Sequence, residues 1–380
     1  MQISYKKIII NPTFPIKQLG FIQQTKEVFK FNDDLHARIL SFKENNKYTF
    51  IISFDLLALP VEFHNKIKNF LNTIYPNSSI VLSCTHTHFA PNTKDERYLD
   101  LLYNLLTVNL KSLEFVDYND IYIKYTSCDF HEVGTSRISN HKATVLLNIL
   151  SFYHNNKNIY NIIIHNVHPT ILSGDTDFFS SEYIGKTLEL LDNEMTKNIF
   201  LQGAAGDVST RFTRANQTYD SVIKLATTLA NKVKDIITND TSICNLLTNI
   251  EYDSLSLNIE HDKSPLKLDT PKDLTPRELE TIEIGQVMRN RLLEGNDLTS
   301  SILISYISFN NITFIFNPCE LFSGYIDYVN PNTSLVCYSN GYAPYVTNIN
   351  DNFLTYERFT DTFSTKTKQQ LIDIIKNINS

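Results

Sequence analysis

This 380-residue sequence lacks several features that mark common classes of protein. Its 34 Lys and Arg are outnumbered by 41 Asp and Glu, which gives a net charge of -7, and they form no basic block. Proteins that bind nucleic acids need a basic face to displace counterions from phosphates, so we expect no nucleic-acid partner. No apolar run approaches the roughly 20 residues that cross a bilayer, so we also expect no stable membrane insertion.

Cysteine is scarce and scattered, and tryptophan is absent. The five cysteines never form a CxxC pair: Cys84, Cys128, Cys244, Cys319 and Cys337. This pattern argues against a thiolate zinc site and a disulfide framework, and it favours reduced thiols. The apolar run that follows Lys6 and Lys7 is too short for a signal peptide. We therefore expect a cytoplasmic protein.

The composition that remains is typical of a globular enzyme, with 42% hydrophobic and 20% charged residues. Short β-branched and aromatic runs predict buried strands over 48–54, 79–83, 161–165, 198–201 and 312–316. Apolar residues at helical spacing predict helices over 61–71, 98–110, 181–191, 219–237 and 365–378. The alternation predicts an α/β fold, with mixed or mainly parallel β-sheets layered with helices.

The domain organisation predicted from the sequence is a single large catalytic domain over 1–380. Residues 251–272 alternate polar and apolar types, which predicts a strand pair that leads into a polar loop. Thr275 and Pro276 then have the residue types of an N-cap and a first helical position. A possible internal boundary therefore lies near 250–275. No internal repeat is evident.

Two histidine motifs follow predicted strands. His86 and His88 come after strand 79–83, at the kind of strand end where open α/β sheets present working groups. On an extended segment the two rings would point to opposite sides, so we expect one to bind a metal and the other to face the substrate or to support the metal's ligands. His168 ends the next apolar run, immediately before Pro169. The alternative for each histidine is a structural role.

Three further segments carry polar groups at strand ends. The Gly/Ala-rich turn over 201–211 supplies Asp207 and Ser209, but it lacks the GK[ST] ending of a phosphate loop. Glu320 follows the predicted strand 312–316, where a carboxylate is costly unless it is paired, metal-bound or exposed. Tyr342, Tyr345 and Tyr356 lie further on, and tyrosines are more often packing residues.

Together these segments resemble the neutral/alkaline (non-lysosomal) ceramidase family, in the order in which that family has them. The matching residues are 11–21 (NPTFPIKQLGF), 53–57 (SFDLL), 84–88 (CTHTH), Arg137, 167–170 (VHPT), 202–209 (QGAAGDVS), 318–320 (PCE) and 340–345 (NGYAPY). The resemblance implies a zinc-dependent hydrolase that cleaves an amide (N-acyl) bond with a metal-activated water.

The resemblance also implies a role for each matched residue. The zinc ligands would be His86, His168, Glu320 and Tyr345, with Tyr342 as the competitor for the fourth position. The catalytic groups would be His88, which moves a proton to the leaving nitrogen, and Arg137 and Tyr356, which stabilise the oxyanion. Ser209 matches a serine once considered a nucleophile. Because no general base adjoins it in sequence, we favour a structural or substrate-binding role.

Departures from the family pattern limit what the resemblance implies about substrate. Phe89 and Thr210 stand where the family has other residues, and with Asp207 and Tyr342 we regard Phe89 as a candidate substrate contact. The family also has a secretory signal and a C-terminal immunoglobulin-like domain, and we expect neither here. The expected substrate is therefore a soluble small-molecule N-acyl or peptide-like amide. A zinc esterase and a catalytically silent binding protein are the alternatives, and the oligomeric state is not predicted.

Overall fold

The structure is a computed structural model that describes residues 1–21, 24–138, 141–240, 244–270, 273–294 and 299–378, with Arg277 described by its backbone alone. The fold is mixed α/β, as predicted. In chain order the strands are β1 (Gln2–Ile9), β2 (Ile16–Lys17), β3 (Glu27–Val28), β4 (His36–Glu44), β5 (Lys47–Phe54), β6 (Ser78–Cys84), β7 (Val116–Asp117), β8 (Tyr122–Asp129), β9 (Thr135–Ser136), β10 (Leu146–His154), β11 (Lys157–His165), β12 (Lys197–Gln202), β13 (Val208–Ser209), β14 (Asn245–Leu246), β15 (Ile250–Asn258), β16 (Ser301–Phe309), β17 (Ile312–Phe316), β18 (Cys319–Leu321), β19 (Thr333–Val336) and β20 (Ala343–Val346).

The helices lie between these strands and near the C-terminal end of the sequence. They are α1 (Val61–Ile74), α2 (Glu96–Lys111), α3 (Glu182–Leu191), α4 (Tyr219–Asn239), α5 (Pro276–Glu294), α6 (Tyr356–Thr360) and α7 (Thr365–Ile378), with 3-10 turns at Thr210–Phe212 and Ser323–Tyr328. All five helical ranges predicted from apolar spacing are confirmed, as is the helix that starts at Pro276. Thr275 caps α5 as expected: Glu278 N donates to Thr275 Oγ1 (3.3 Å), and Thr275 N donates to Glu278 Oε2 (2.8 Å).

Three sheets make up most of the β-structure, and they share one strand arrangement. Sheet 1 has the order β6-β5-β4-β1-β7, sheet 2 has β12-β11-β10-β8-β14, and sheet 3 has β15-β16-β17-β19. Four strands of each sheet are arranged alike: two antiparallel pairings, the second of them a hairpin, are followed by one parallel pairing at the edge. In sheets 1 and 2 a short fifth strand adds one more antiparallel pairing. The sheets are therefore mixed, with far fewer parallel pairs than a mainly parallel sheet would have.

This shared arrangement corrects the expectation that the chain has no internal repeat. Each hairpin turns at two asparagines: Asn45-Asn46, Asn155-Asn156 and Asn310-Asn311. A Ser-Phe pair precedes each turn, directly in the third hairpin and with two residues between in the first and second. Five of these asparagines have φ between 47° and 62°, the left-handed values that tight hairpin turns require. The repeat escapes notice because only the turns and the apolar pattern are retained.

The three sheets pack on one another through equivalent phenylalanines. Phe42, Phe152 and Phe309 are each the second residue of a Ser-Phe pair, and all three are buried. Their ring centroids lie 5.5 Å (Phe42–Phe152), 5.3 Å (Phe42–Phe309) and 5.6 Å (Phe152–Phe309) apart. We call these residues the phenylalanine triad. They belong to a core cluster that includes apolar residues of all three sheets.

One strand prediction is wrong. The segment 251–272 was expected to hold a strand pair, but its described part holds a single long strand, β15. Its partner is β16, which follows α5 in the sequence. The local sequence pattern could not identify this partner, because α5 lies between the two paired strands in the sequence. No helix in the described ranges is both long and apolar enough to cross a membrane.

Candidate metal centre

His86 lies just beyond the end of β6, in a conformation that the sequence did not suggest. Its φ is 66°, in the left-handed region that non-glycine residues rarely adopt. Two contacts hold it there: His86 N donates to Leu56 O (2.9 Å), and the ring Nδ1 lies 2.8 Å from Leu57 O. The expectation of an extended segment is therefore wrong, and the rings of His86 and His88 do not lie on opposite sides.

His168 approaches the same point from the end of β11. Its backbone N donates to Val208 O (3.1 Å), and its ring Nδ1 lies 2.9 Å from Ala205 O. A ring nitrogen that donates to a carbonyl leaves the other nitrogen with a free lone pair. His86 and His168 therefore both present Nε2 as a potential metal-binding atom, and each ring is oriented by a backbone carbonyl, as metal-ligating histidines usually are.

Glu320 on β18 completes the convergence. Its Oε2 lies 3.3 Å from His86 Nε2 and 3.4 Å from His168 Nε2. The three side chains are almost fully buried. The tyrosines surround this carboxylate: Tyr342 OH donates to Oε1 (2.5 Å) and Tyr338 OH to Oε2 (3.4 Å). The ring of Tyr345, whose backbone pairs with that of Glu320, is nearly parallel to His168 at 6.4 Å between centroids.

His88 lies beside the two candidate ligand histidines, His86 and His168. Its ring centroid lies 5.1 Å from that of His86 and 5.3 Å from that of His168, and ring nitrogens of all three lie within 4.8 Å of one another. Among the described residues, neither nitrogen of His88 has a hydrogen-bond partner, nor does Nε2 of His86 or of His168. Buried polar atoms are normally satisfied, so this set of open nitrogens fits a bound cation.

Arg137 lies against His168 on the side opposite Glu320. Its Nη1 donates to Glu357 Oε1 (2.7 Å), and its Nη2 lies 2.5 Å from His168 Nδ1. A guanidinium only donates, so Nδ1 cannot be hydrogen-bonded to Arg137 and to Ala205 O in the same tautomer. The Ala205 contact matches the arrangement of His86 and leaves Nε2 open toward Glu320, and a cation on Nε2 selects that tautomer.

Comparison with known proteins identifies the fold that holds these residues. No family model and no curated protein matches the sequence. Among solved structures, "Ceramidase complexed with C2" superposes with a TM-score of 0.75 at 14% identity, and the neutral ceramidase from Pseudomonas aeruginosa with 0.76 at 13%. Each match covers 100% of this chain and 74% of the other. The chain has the ceramidase fold. The resemblance expected from the motifs is thereby confirmed at the level of fold.

Within this ceramidase fold, burial and nearby charges set the protonation of the site. Burial lowers the pKa of His88 to about 3, and burial together with Arg137 holds the pKa of His168 well below its ordinary value. Burial alone would raise the pKa of Glu320, but His86 and the Tyr342 hydroxyl bring it down to about 2. A neutral His168 and an ionised Glu320 are the protonation states in which these two groups bind a divalent metal.

The phenols are protonated in the absence of a cation. Burial, reinforced by the charge of Glu320, raises the pKa values of Tyr338, Tyr342 and Tyr345 well above the ordinary value, and that of Tyr356 to about 12. An anionic phenolate ligand therefore requires a cation to offset these effects.

Three further predicted site residues have side chains that are held by other parts of the protein. Phe89 is fully buried in a core cluster, 5.7 Å from the ring of Phe21. Asp207 is also buried, and both its oxygens are occupied, by Ser323 N (2.6 Å) and by Ser323 Oγ (2.9 Å) together with His141 Nε2 (3.2 Å). These contacts show how the two side chains are held, and the roles expected for Phe89 and Asp207 in substrate binding stay predictions. Ser209 Oγ accepts from Arg211 N (3.4 Å) and caps a 3-10 turn.

Two residues of the site were missed by the sequence analysis. Tyr338 stacks on His86 with ring centroids 3.8 Å apart, and Glu357 holds Arg137. Tyr338 lies two residues after β19, the parallel edge strand of sheet 3. His86 likewise lies two residues after β6, the parallel edge strand of sheet 1, and the φ of Tyr338, 52°, is also left-handed. Recognition of the internal repeat is the signal that could have identified Tyr338.

Proposed function

We propose that this protein is a zinc-dependent hydrolase that cleaves a linear amide (N-acyl) bond in a small-molecule substrate. The observation that carries the proposal is that Nε2 of His86 and Nε2 of His168 face one oxygen of Glu320, at 3.3 Å and 3.4 Å, with each Nδ1 held by a backbone carbonyl. The ceramidase fold supports the choice of bond, because the solved relatives are ceramidases.

The residues present fit a catalytic zinc site. Two imidazole nitrogens and one carboxylate oxygen are a common set of three protein ligands for catalytic zinc, which keeps a further position open. Tyr345 is the proposed fourth protein ligand, since its backbone is paired with that of Glu320 and its ring lies beside His168. Zinc bound there supplies Lewis acidity for the scissile carbonyl and for the attacking water.

The chain's own groups manage charge and protons around that centre. Arg137 carries a permanent positive charge that can receive the negative charge of the carbonyl oxygen. Tyr356 is a protonated phenol near neutral pH and can donate to the same oxygen. His88 is a neutral imidazole with two open ring nitrogens, so it can take a proton at one nitrogen and give one at the other to the leaving amine.

The experiment that tests this proposal measures metal content and turnover together. We expect about one zinc per chain by elemental analysis, and hydrolysis of an N-acyl amide library detected by mass spectrometry. His86→Ala and His168→Ala should lose both the metal and the turnover. His154→Ala is the matched control, because His154 lies on an exposed hairpin and its Nδ1 contacts Asp120 O (2.9 Å).

Two outcomes would contradict the proposal. A metal-free protein with full activity would rule out the zinc centre. The second outcome uses pairs of one amide and one ester that share the same acyl chain. A protein that binds zinc through His86 and His168 but hydrolyses only the ester of each pair would rule out the amide bond.

A further inference from the structure

Two of the groups that contact the guanidinium of Arg137 act on its position in opposite directions. One is the imidazole of His168, whose Nδ1 lies 2.5 Å from Arg137 Nη2 and whose Nε2 faces Glu320. A cation bound on Nε2 would repel the guanidinium on the other edge of the same ring. The other neighbour is Glu357, whose Oε1 accepts from Arg137 Nη1 at 2.7 Å and offsets the positive charge.

Glu357 is in a position to determine where the guanidinium lies. The Arg137 Nε has no hydrogen-bond partner among the described residues, and the face of the Tyr345 ring lies 5.8 Å from the guanidinium carbon. Glu357 is the one carboxylate within 4 Å of Arg137 in the described part of the chain. It is buried, and hydrogen bonds between charged groups out of water are the strong ones.

The helix that carries Glu357 is itself held in place. Thr355 caps α6, with Arg358 N donating to its Oγ1 at 3.2 Å. Helix α5 packs on α6 so closely that Gly285 lies against the ring of Phe359. From α5, Arg289 Nη1 donates to Phe359 O (3.4 Å) and Asp361 O (2.9 Å) at the end of α6. A short helix of five residues is thereby given a fixed position.

We propose that Glu357 is the positioning residue of the site: it holds the Arg137 guanidinium against His168 and Tyr345 and compensates its charge beside the metal centre. This inference rests on the proposed function, in which Arg137 receives the charge of the carbonyl oxygen. Glu357 acts through Arg137 and does not contact the substrate. Without it, the flexible arginine side chain is free to move away from the cation-binding edge.

A double-mutant cycle tests this role. Glu357→Gln keeps the shape of the side chain and removes its charge, and we expect kcat to fall about 10²-fold, the cost of a misplaced catalytic group, with a smaller change in KM. Glu357→Asp keeps the charge and should recover part of the loss. In an Arg137→Met background, Glu357→Gln should cause no further loss, because the group through which it acts is gone.

Glu62→Gln is the matched control for the cycle. Glu62 is the second residue of α1, as Glu357 is of α6, so both occupy the same position relative to a helix N-terminus. Glu62 is exposed, and its substitution should leave kcat and KM unchanged. A loss of activity caused only by the helix dipole would appear in both variants.

A second measurement uses the metal-free protein and needs no turnover. The Nε–H signal of Arg137 in a 15N NMR spectrum is assigned by its disappearance in Arg137→Met. We expect one sharp signal in the wild type and a signal broadened or averaged with solvent in Glu357→Gln. Arg289 is the internal reference, because backbone carbonyls hold its guanidinium and its signal should not change.

The outcomes separate this inference from the proposed function. If Glu357→Gln retains the wild-type kcat and Arg137 signal, the positioning role is overturned. If its loss is additive with Arg137→Met, Glu357 does not act through Arg137 and the inference is again overturned. If the wild type hydrolyses no N-acyl probe, the proposed function is wrong, and the NMR comparison alone decides whether Glu357 fixes Arg137.

Discussion

At the scale of single residues, Glu182 on α3 gives the molecule a pH-dependent weakness away from the metal centre. It is fully buried at φ of 54°, and its Oε1 accepts from Leu172 N (3.0 Å) and Ile171 N, in the loop that follows His168. Burial raises its pKa from 4.5 to about 8. The unfolded chain releases this proton at lower pH, so the stabilising contribution is complete below pH 4.5 and is lost as the pH rises toward 8.

Glu182→Gln should remove this pH dependence. The amide keeps an oxygen for the two backbone N–H donors and cannot ionise, so the variant should gain stability relative to the wild type by about 1.4 kcal/mol per pH unit within that window. Urea unfolding of both proteins at pH 5 and pH 8 measures the difference. An equal change in the free energy of unfolding for both proteins would show that Glu182 is already ionised in the fold.

The tyrosines around Glu320 are expected to differ in their effect on zinc affinity. Tyr342 donates to Glu320 Oε1 (2.5 Å), so Tyr342→Phe should weaken zinc binding by about tenfold, the usual cost of losing a group that supports a ligand. Tyr345→Phe should weaken zinc binding more, because Tyr345 is the proposed fourth ligand. Competition with a chelator measures both constants. The reverse order would identify Tyr342 as the fourth ligand.

Local sequence identified most residues of the site but not their conformations. The strand-end positions of His86, His168 and Glu320 were apparent because each follows an apolar run. The left-handed backbone of His86 was not apparent, since it is imposed by the carbonyls of Leu56 and Leu57 from the end of another strand. Contacts of this kind depend on tertiary structure, which the spacing of residues in one segment does not contain.

At the scale of secondary-structure elements, the packing of α5 on α6 makes an unusual prediction for a glycine. In most helices Gly→Ala is stabilising by about 1 kcal/mol. A Cβ on Gly285 would lie 2.5 Å from Cγ and Cδ2 of the buried Phe359 ring, so Gly285→Ala should instead destabilise the protein by about 1–3 kcal/mol. It should also lower kcat, because α6 carries Glu357 and Tyr356.

Chemical unfolding and steady-state kinetics of Gly285→Ala measure these two effects. Gln286→Ala, at the next and exposed position of α5, is the control and should change neither. A more stable Gly285→Ala would mean that the two helices can separate without cost, and that α5 does not hold α6.

The elements themselves were predicted well, and their pairing was not. Helices α1 to α4 and strands β5, β6, β11, β12 and β17 lie where periodicity and β-branched runs placed them. The direction of pairing was less predictable, because hairpin strands such as β10 and β11 are buried on both faces along most of their length, as parallel strands are, and do not alternate between apolar and polar residues. The Asn-Asn pairs at 45–46 and 155–156 were the turn signal that distinguishes a hairpin.

At the scale of the whole molecule, three similar sheets meet at the phenylalanine triad, and each supplies part of one site. Strand β6 of sheet 1 leads to His86, β11 of sheet 2 to His168, and β17 of sheet 3 to Glu320. Backbone hydrogen bonds link their edges, with Cys84 N donating to Tyr338 O (3.1 Å) and Cys337 N to Gln202 O (2.8 Å). No single segment of sequence contains this arrangement, because His86 and His168 lie more than 80 residues apart and His168 and Glu320 more than 150.

A metal at such a junction should stabilise the whole molecule, because it cross-links all three sheets in the folded state only. Zinc at 1,000 times its dissociation constant should add about 4 kcal/mol to the free energy of unfolding, and a chelator should remove it. Thermal unfolding with and without zinc measures this increment. His86→Ala, His168→Ala and Glu320→Gln take one ligand from each sheet in turn, and each should abolish it, whereas His154→Ala should retain it. If one of the three variants kept the full increment, the ion would not join that sheet to the others, and the shared strand arrangement would have no part in building the centre.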